Sequence, residues 1–161
     1  TPISAWTTTT VAGKTEFHKE MGEIIQAHHP PYAAQASVSE PEDLYKKVKK
    51  AKEIKGPKYI EILAPCPPGW RFSMNKTVDM GKLAIETGAW SLWEYENDEI
   101  TFNGKSKLLL EEKIKPKPIE EWLKYQGRFK HLFVPKRDEK QLKRIQEHTD
   151  TMWKRYRKKY L

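Results

Sequence analysis

The sequence contains one cysteine in 161 residues, so no internal disulfide framework exists, and such sparse thiol usage suits a reducing compartment. No apolar run is long enough to span a bilayer, and no charged-then-apolar leader opens the chain. A cytoplasmic location and no membrane partner are the expectation. Lys14 follows Val11-Ala12-Gly13, but the glycine spacing of a phosphate loop is missing. The five histidines, His18, His28, His29, His131 and His148, lack metal-ligand spacing with any Cys, Asp or Glu pair. No Ser-His-Asp pattern can be read out. Zinc-finger spacing and the aromatic motifs of RNA-binding modules are also absent. There are no internal repeats and no low-complexity tract.

What the chain does have is positive charge and aromatic area. Lys and Arg number 30 against 22 Asp and Glu, a net charge of +8, which favours acidic partners. Six Trp, seven Tyr and five Phe supply enough apolar surface for one folded domain, although 32% of residues are charged.

The pattern along the chain reads as alternating helices and strands. Residues 1–14 read as loop. Thr15 is placed to cap a helix reaching about His29, with Phe17, Met21, Ile24, Ile25 and His28 on one stripe, and Pro30-Pro31 end it. Tyr32 to Val38 follows as a strand of small residues, where something packs close to the backbone. Ser39 and Glu42 suggest a capping box around Pro41. The next helix sets Leu44, Val48 and Ala51 against Lys46, Lys47, Lys49, Lys50 and Lys52, a lysine face expected in water. Strand Lys58–Ala64 carries apolar residues on both faces and reads as a buried central strand. Helix, strand, helix, strand with tight connections argues for a parallel sheet with helical crossovers. A helix from about Asn75 to Thr87, two strands around Asn97-Asp98, an extended excursion over 103–118 and a short amphipathic segment from Ile119 to Leu132 come next. A last helix from about Asp138 to Tyr160 completes the pattern. Its basic end, Lys154 to Tyr160, interleaves aromatics with cations, but those aromatics share one helical stripe and fit docking on protein better than on nucleic acid.

Cys66 lies just past the strand, in Ile62-Leu63-Ala64-Pro65-Cys66-Pro67-Pro68-Gly69-Trp70-Arg71-Phe72. Prolines and a glycine stiffen this turn and prevent helix from continuing through it. The carboxyl end of a strand in an open α/β sheet is where functional groups collect. Free cysteines are nevertheless most often small buried apolar residues, and chemistry alone leaves that reading ahead.

Several ordered blocks change the balance. Gly56-Pro57-Lys58-Tyr59-Ile60-Glu61-Ile62-Leu63-Ala64-Pro65-Cys66-Pro67-Pro68-Gly69-Trp70 resembles the β subunit of 2-oxoacid:ferredoxin oxidoreductases. Thr1-Pro2 with Ala5-Trp6-Thr7-Thr8-Thr9-Thr10, Tyr32-Ala33-Ala34-Gln35-Ala36-Ser37, Glu40-Pro41-Glu42-Asp43-Leu44 and Leu83-Ala84-Ile85-Glu86-Thr87-Gly88 continue the likeness in order. So do Leu92-Trp93-Glu94-Tyr95-Glu96 and Tyr125-Gln126-Gly127-Arg128-Phe129-Lys130-His131-Leu132. The resemblance covers nearly the whole chain.

The resemblance implies an α/β fold, namely the C-terminal half of a thiamine-diphosphate-binding parallel-sheet domain plus a C-terminal helical extension. It divides the chain into 1–103, the thiamine-domain part, and 104–161, an arm docking on partner subunits. It implies thiamine-dependent oxidative decarboxylation of a 2-oxoacid, pyruvate first, to the acyl-coenzyme A and CO2, reversibly, with electrons passing through [4Fe–4S] clusters to ferredoxin. Thiamine diphosphate, Mg2+ and a [4Fe–4S] cluster are the implied cofactors. The α, γ and δ subunits, or the rest of the same enzyme, are the implied partners. Cys66 matches the position of the late-lying fourth cluster cysteine, the one metal ligand expected here, and no catalytic or thiamine-binding residue is assigned. The family's Gly-Asp-Gly motif and its other three cluster cysteines are missing from this sequence. This chain alone is therefore expected to be inactive. A basic non-enzymatic module binding nucleic acid or an acidic protein is the alternative from another class, whereas the enzyme reading expects no nucleic-acid partner.

Overall fold

The computed structural model describes residues 1–161. A four-stranded sheet lies at its centre, built of β1 (Tyr32–Ser37), β2 (Lys58–Leu63), β3 (Trp93–Glu96) and β4 (Glu99–Phe102), in the order β2-β1-β3-β4. Strands β1 and β2 pair in parallel, Tyr32 opposite Lys58 and Ser37 opposite Leu63. The helix α2 (Pro41–Glu53) makes the crossover between them. The other two pairings are antiparallel.

The sheet is thus mixed, which corrects the expected parallel sheet. Only the two residues Asn97 and Asp98, both at positive φ, separate β3 from β4, and a connection that short returns a strand antiparallel. Strand β2 is also not central. It forms an edge and is only partly covered, with Ile62 43% exposed. Its apolar residues on two faces were read as burial, but within this chain nothing covers its outer side. Strand β1 is the buried one: Tyr32, Ala33, Ala34 and Ala36 are fully enclosed. The small side chain of Ala34 lets Ala51 of α2 close against the strand, as expected. The indole of Trp90 also donates to the Ala36 carbonyl at 2.9 Å.

Three helical expectations change. The helix expected over 15–29 shrinks to α1 (Met21–Gln26). The expected capping box does not form, because the Ser39 hydroxyl pairs with Ser37 at 2.8 Å and Glu40 takes the cap position. The excursion after 103 contains a helix, α5 (Gly104–Leu110), whose Ser106 hydroxyl accepts from the Leu92 amide. Along the rest of the chain run α3 (Pro67–Trp70), α4 (Thr77–Glu86), α6 (Glu120–Leu123) and α7 (Glu139–Tyr160), with 3-10 turns at Met74–Lys76 and Gly127–Leu132.

The lysine face of α2 is not uniformly in water. Lys47 is 1% exposed, and its ammonium donates to the Gln35 carbonyl at 2.8 Å and to Asp43 Oδ2 at 2.6 Å. The aromatics of the C-terminal segment pack within this chain. Trp153 and Tyr156 of α7 pack with Ala33, Trp93, Tyr95 and Phe102 of the sheet. A second core joins Ile3, Ala5 and Ala84 to Trp122, Phe129, Leu142 and Ile145. Both cores draw side chains from either side of residue 103. Helix α7 is capped by Asp138, whose carboxylate accepts from the Gln141 amide, and lysines and arginines fill its last turn where the helix dipole favours them.

Candidate functional site

The chain leaves β2 at Leu63 and runs through Pro65 to Cys66, which stands at the N-cap of α3 in extended backbone. The Cys66 carbonyl accepts from the Trp70 amide at 2.8 Å, and Pro67 accepts from Phe72 at 3.2 Å. Arg71 leaves the turn in left-handed backbone, φ 60°. The thiol itself is exposed, not buried as the bland reading of a free cysteine has it. Gly69 keeps space beside it, since a Cβ there would come within 3.3 Å of the sulfur.

The turn is braced from the far end of the sequence. The Gly127 amide donates to the Arg71 carbonyl at 2.9 Å. Gly127 has to be a glycine, because an added Cβ would lie 2.7 Å from Arg71 Cβ. The next residue, Arg128, lays its guanidinium 4.0 Å from the centre of the Trp70 ring. Trp70 in turn meets Trp122 edge-on at 5.8 Å. The indole of Trp122 donates to the Met80 carbonyl, and Gln126 donates to the Trp122 carbonyl while accepting from Arg128 Nε at 2.8 Å. The Arg128 carbonyl accepts from the Trp6 amide at 2.9 Å. Three of the sequence blocks singled out above, around Trp6, Cys66 and Arg128, therefore meet in space.

Beside this junction lies a cavity of about 570 Å³. Trp70, Trp122 and Arg128 line one side, and Gln35, Glu61 and Ser91 line another. Gln35 is the polar centre of that second wall: its Oε1 accepts from Ser91 and Trp93, and its Nε2 donates to Glu61 at 3.0 Å. Glu20, which also lines the cavity, has its carboxyl raised above the usual range by burial. Sequence reasoning quoted Arg128 and Gln35 only as parts of motif blocks. Their roles depend on contacts 58 and 56 residues apart in the chain, which no local pattern displays.

The histidines do not gather. His131 stacks on Trp6 and His148 on Phe17, while His29 pairs with Asp98 at the surface. No group of three or more His, Cys, Asp or Glu in the chain is placed to hold a metal ion. Cys66 stands apart from these groups as a single exposed thiol, with Gly69 leaving room beside its sulfur. No helix is long and apolar enough to cross a membrane.

No family model matches the chain. Comparison with curated proteins shows that it belongs to the family of 2-oxoacid oxidoreductase subunits that includes PorB and VorB. It is 47% identical over 155 residues, 93% of the chain, to pyruvate synthase subunit PorB of Methanosarcina barkeri. It is 44% identical over 170 residues to the PorB of Pyrococcus horikoshii, and 47% identical over 137 residues to ketoisovalerate oxidoreductase subunit VorB of Pyrococcus abyssi. The chain spans about half the length of these relatives: 50% of each PorB and 42% of the VorB.

Proposed function

We propose that this chain is part of the β subunit of a 2-oxoacid:ferredoxin oxidoreductase, acting on pyruvate first, and that Cys66 supplies one thiolate to its [4Fe–4S] cluster. The observation that carries the reading is the exposed Cys66 thiol, held by a rigid proline turn at the carboxyl end of β2, in a chain 47% identical to a pyruvate synthase subunit. Iron–sulfur clusters are held by thiolates, commonly four, and accept one electron at a time when bound. This chain's own share is to fix one sulfur in place. The stacked Trp70, the glycine contact at Arg71 and the prolines on either side of Cys66 restrict its motion.

Thiamine diphosphate and Mg2+ belong to residues outside this chain, since the Gly-Asp-Gly motif is not in its sequence. The open edge of β2 is where the sheet of a thiamine-binding domain would continue into the rest of the subunit. Partner α, γ and δ subunits, coenzyme A and ferredoxin complete the assembly. The net charge of +8 favours encounter with an acidic electron acceptor.

The test is Cys66→Ser in the complete enzyme, purified without oxygen. Loss of iron and sulfide, together with loss or broadening of one cluster's EPR signal, supports the assignment. A full iron complement, an unchanged EPR spectrum and normal 2-oxoacid oxidation would remove Cys66 from the cluster.

A further inference from the structure

Arg128 is 4% exposed, yet its Nη2 has no hydrogen-bond partner. Its Nε is taken by Gln126 Oε1, and its faces meet Trp70, Trp122 and Phe129. None of these neighbours is an anion. Burial alone pulls the guanidinium down to about 9, with no carboxylate of the chain offsetting it, so it still carries its charge at neutral pH. An uncompensated buried cation is among the most expensive features a fold can hold, and proteins pair such groups or coordinate them.

The cavity of about 570 Å³ that Arg128 lines is large enough for a side chain or a small ligand. Its two carboxylates do not satisfy Arg128. Glu61 is held by Gln35, and Glu20 is on the segment leading into α1 with Met21, Lys19 and His18 beside it in the lining. We propose that this cavity receives an oxyanion, a carboxylate or phosphate group, that pairs with Nη2 of Arg128. A planar guanidinium braced by one amide and one indole face is pre-organised for such a pair, because its fork is already oriented. The oxyanion has two possible sources: an acidic side chain from the rest of the protein, or a free small ion.

A structure of the full-length wild-type protein, from chloride buffer with inorganic phosphate or acetate added, decides the matter. An oxyanion about 3 Å from Nη2 supports the pair: a side-chain carboxylate there identifies the protein as its source, and a bound phosphate or acetate identifies a free ion. Only rings, carbonyls or water there overturns the proposal. Melting curves check the free-ion source independently: after dialysis into chloride, phosphate or acetate should raise the wild-type melting temperature and leave that of Arg128→Met unmoved. The variant's own melting temperature is not the readout, because Arg128→Met also removes the stack on Trp70 and the bond to Gln126.

Discussion

The guanidinium of Arg128 stacks 4.0 Å from the centre of Trp70, and that one contact ties the Cys66 turn to a segment some sixty residues downstream. Trp70 is the last residue of the short helix that Cys66 caps, so the stack fixes the turn's far end while β2 fixes its near end. The same arginine accepts from Trp6 through its carbonyl. The exposed thiol is therefore mounted on three segments that the chain brings together only in the folded state.

A double-mutant cycle should detect the stack directly. Trp70→Ala and Arg128→Ala, alone and together, are expected to show a coupling of about 1–2 kcal/mol in urea denaturation, the range of a desolvated cation–aromatic pair. Trp70→Ala alone should also make the 65–72 turn sensitive to limited proteolysis. Additive energies together with an unchanged cleavage pattern would mean the turn holds its shape without the stack.

Lys47 is expected to be the most consequential lysine of α2. Lys47→Ala leaves the Gln35 carbonyl and Asp43 without their ammonium partner, at about 2–4 kcal/mol. Lys46→Ala and Lys49→Ala, on the exposed side, should each change stability by under about 0.5 kcal/mol. Chemical denaturation of the three variants under one set of conditions makes the comparison. Equal effects at all three positions would return Lys47 to the solvated face that the sequence pattern suggested.

The Lys47 result also shows where the sequence was legible and where it was not. Strand β1, helix α2, the turn at Asn97-Asp98 and the capped start of α7 follow from local pattern, because small residues, helical periodicity and turn residues act within a few positions. Strand β2 reads as central because apolar residues occupy both its faces, yet it is an edge here. Periodicity reports which faces can be covered and not which neighbour covers them. Cys66 and its prolines stand out in sequence, whereas Arg128 and Gln35 do not. Their importance comes from partners distant in the chain: Trp70 for the first, Ser91 and Trp93 for the second. Burial of the aromatics of α7 was hidden for the same reason, since Phe102 and Trp93 belong to a hairpin formed elsewhere.

Acid should loosen the junction of α4 with the segments after β4. Burial alone would raise the carboxyl of Glu86, but Lys105 and Lys117 outweigh it and hold the group below its ordinary value. A depressed carboxylate stabilises the fold above its unfolded pKa, and that contribution is lost as pH falls through the folded value. Stability should therefore decline in the acid range below about 4.5, and Glu86→Gln should flatten that part of the profile. Both lysines are about half exposed, so the effect at neutral pH is expected to be only about 1 kcal/mol. An identical acid profile in the variant would assign the acid sensitivity to other groups.

Gly88 gives the sharpest test that α7 belongs to the core of this chain. Its φ of +75° is one that residues with a Cβ rarely adopt, and the Trp153 indole occupies the space a Cβ would need. That indole donates to the Gly88 carbonyl at 2.9 Å, joining the end of α4 to the middle of α7. Gly88→Ala combines backbone strain with a steric clash and should cost about 2–4 kcal/mol. Trp153→Phe keeps most of the ring area but leaves the carbonyl unpaired, at about 1–2 kcal/mol. Because both changes act on one contact, the double variant should lose less than the two single losses added together, since Phe leaves some of the room that Ala needs. Full additivity in denaturant melts would mean that the two residues are not in contact in solution, and that α7 is held against something other than this sheet.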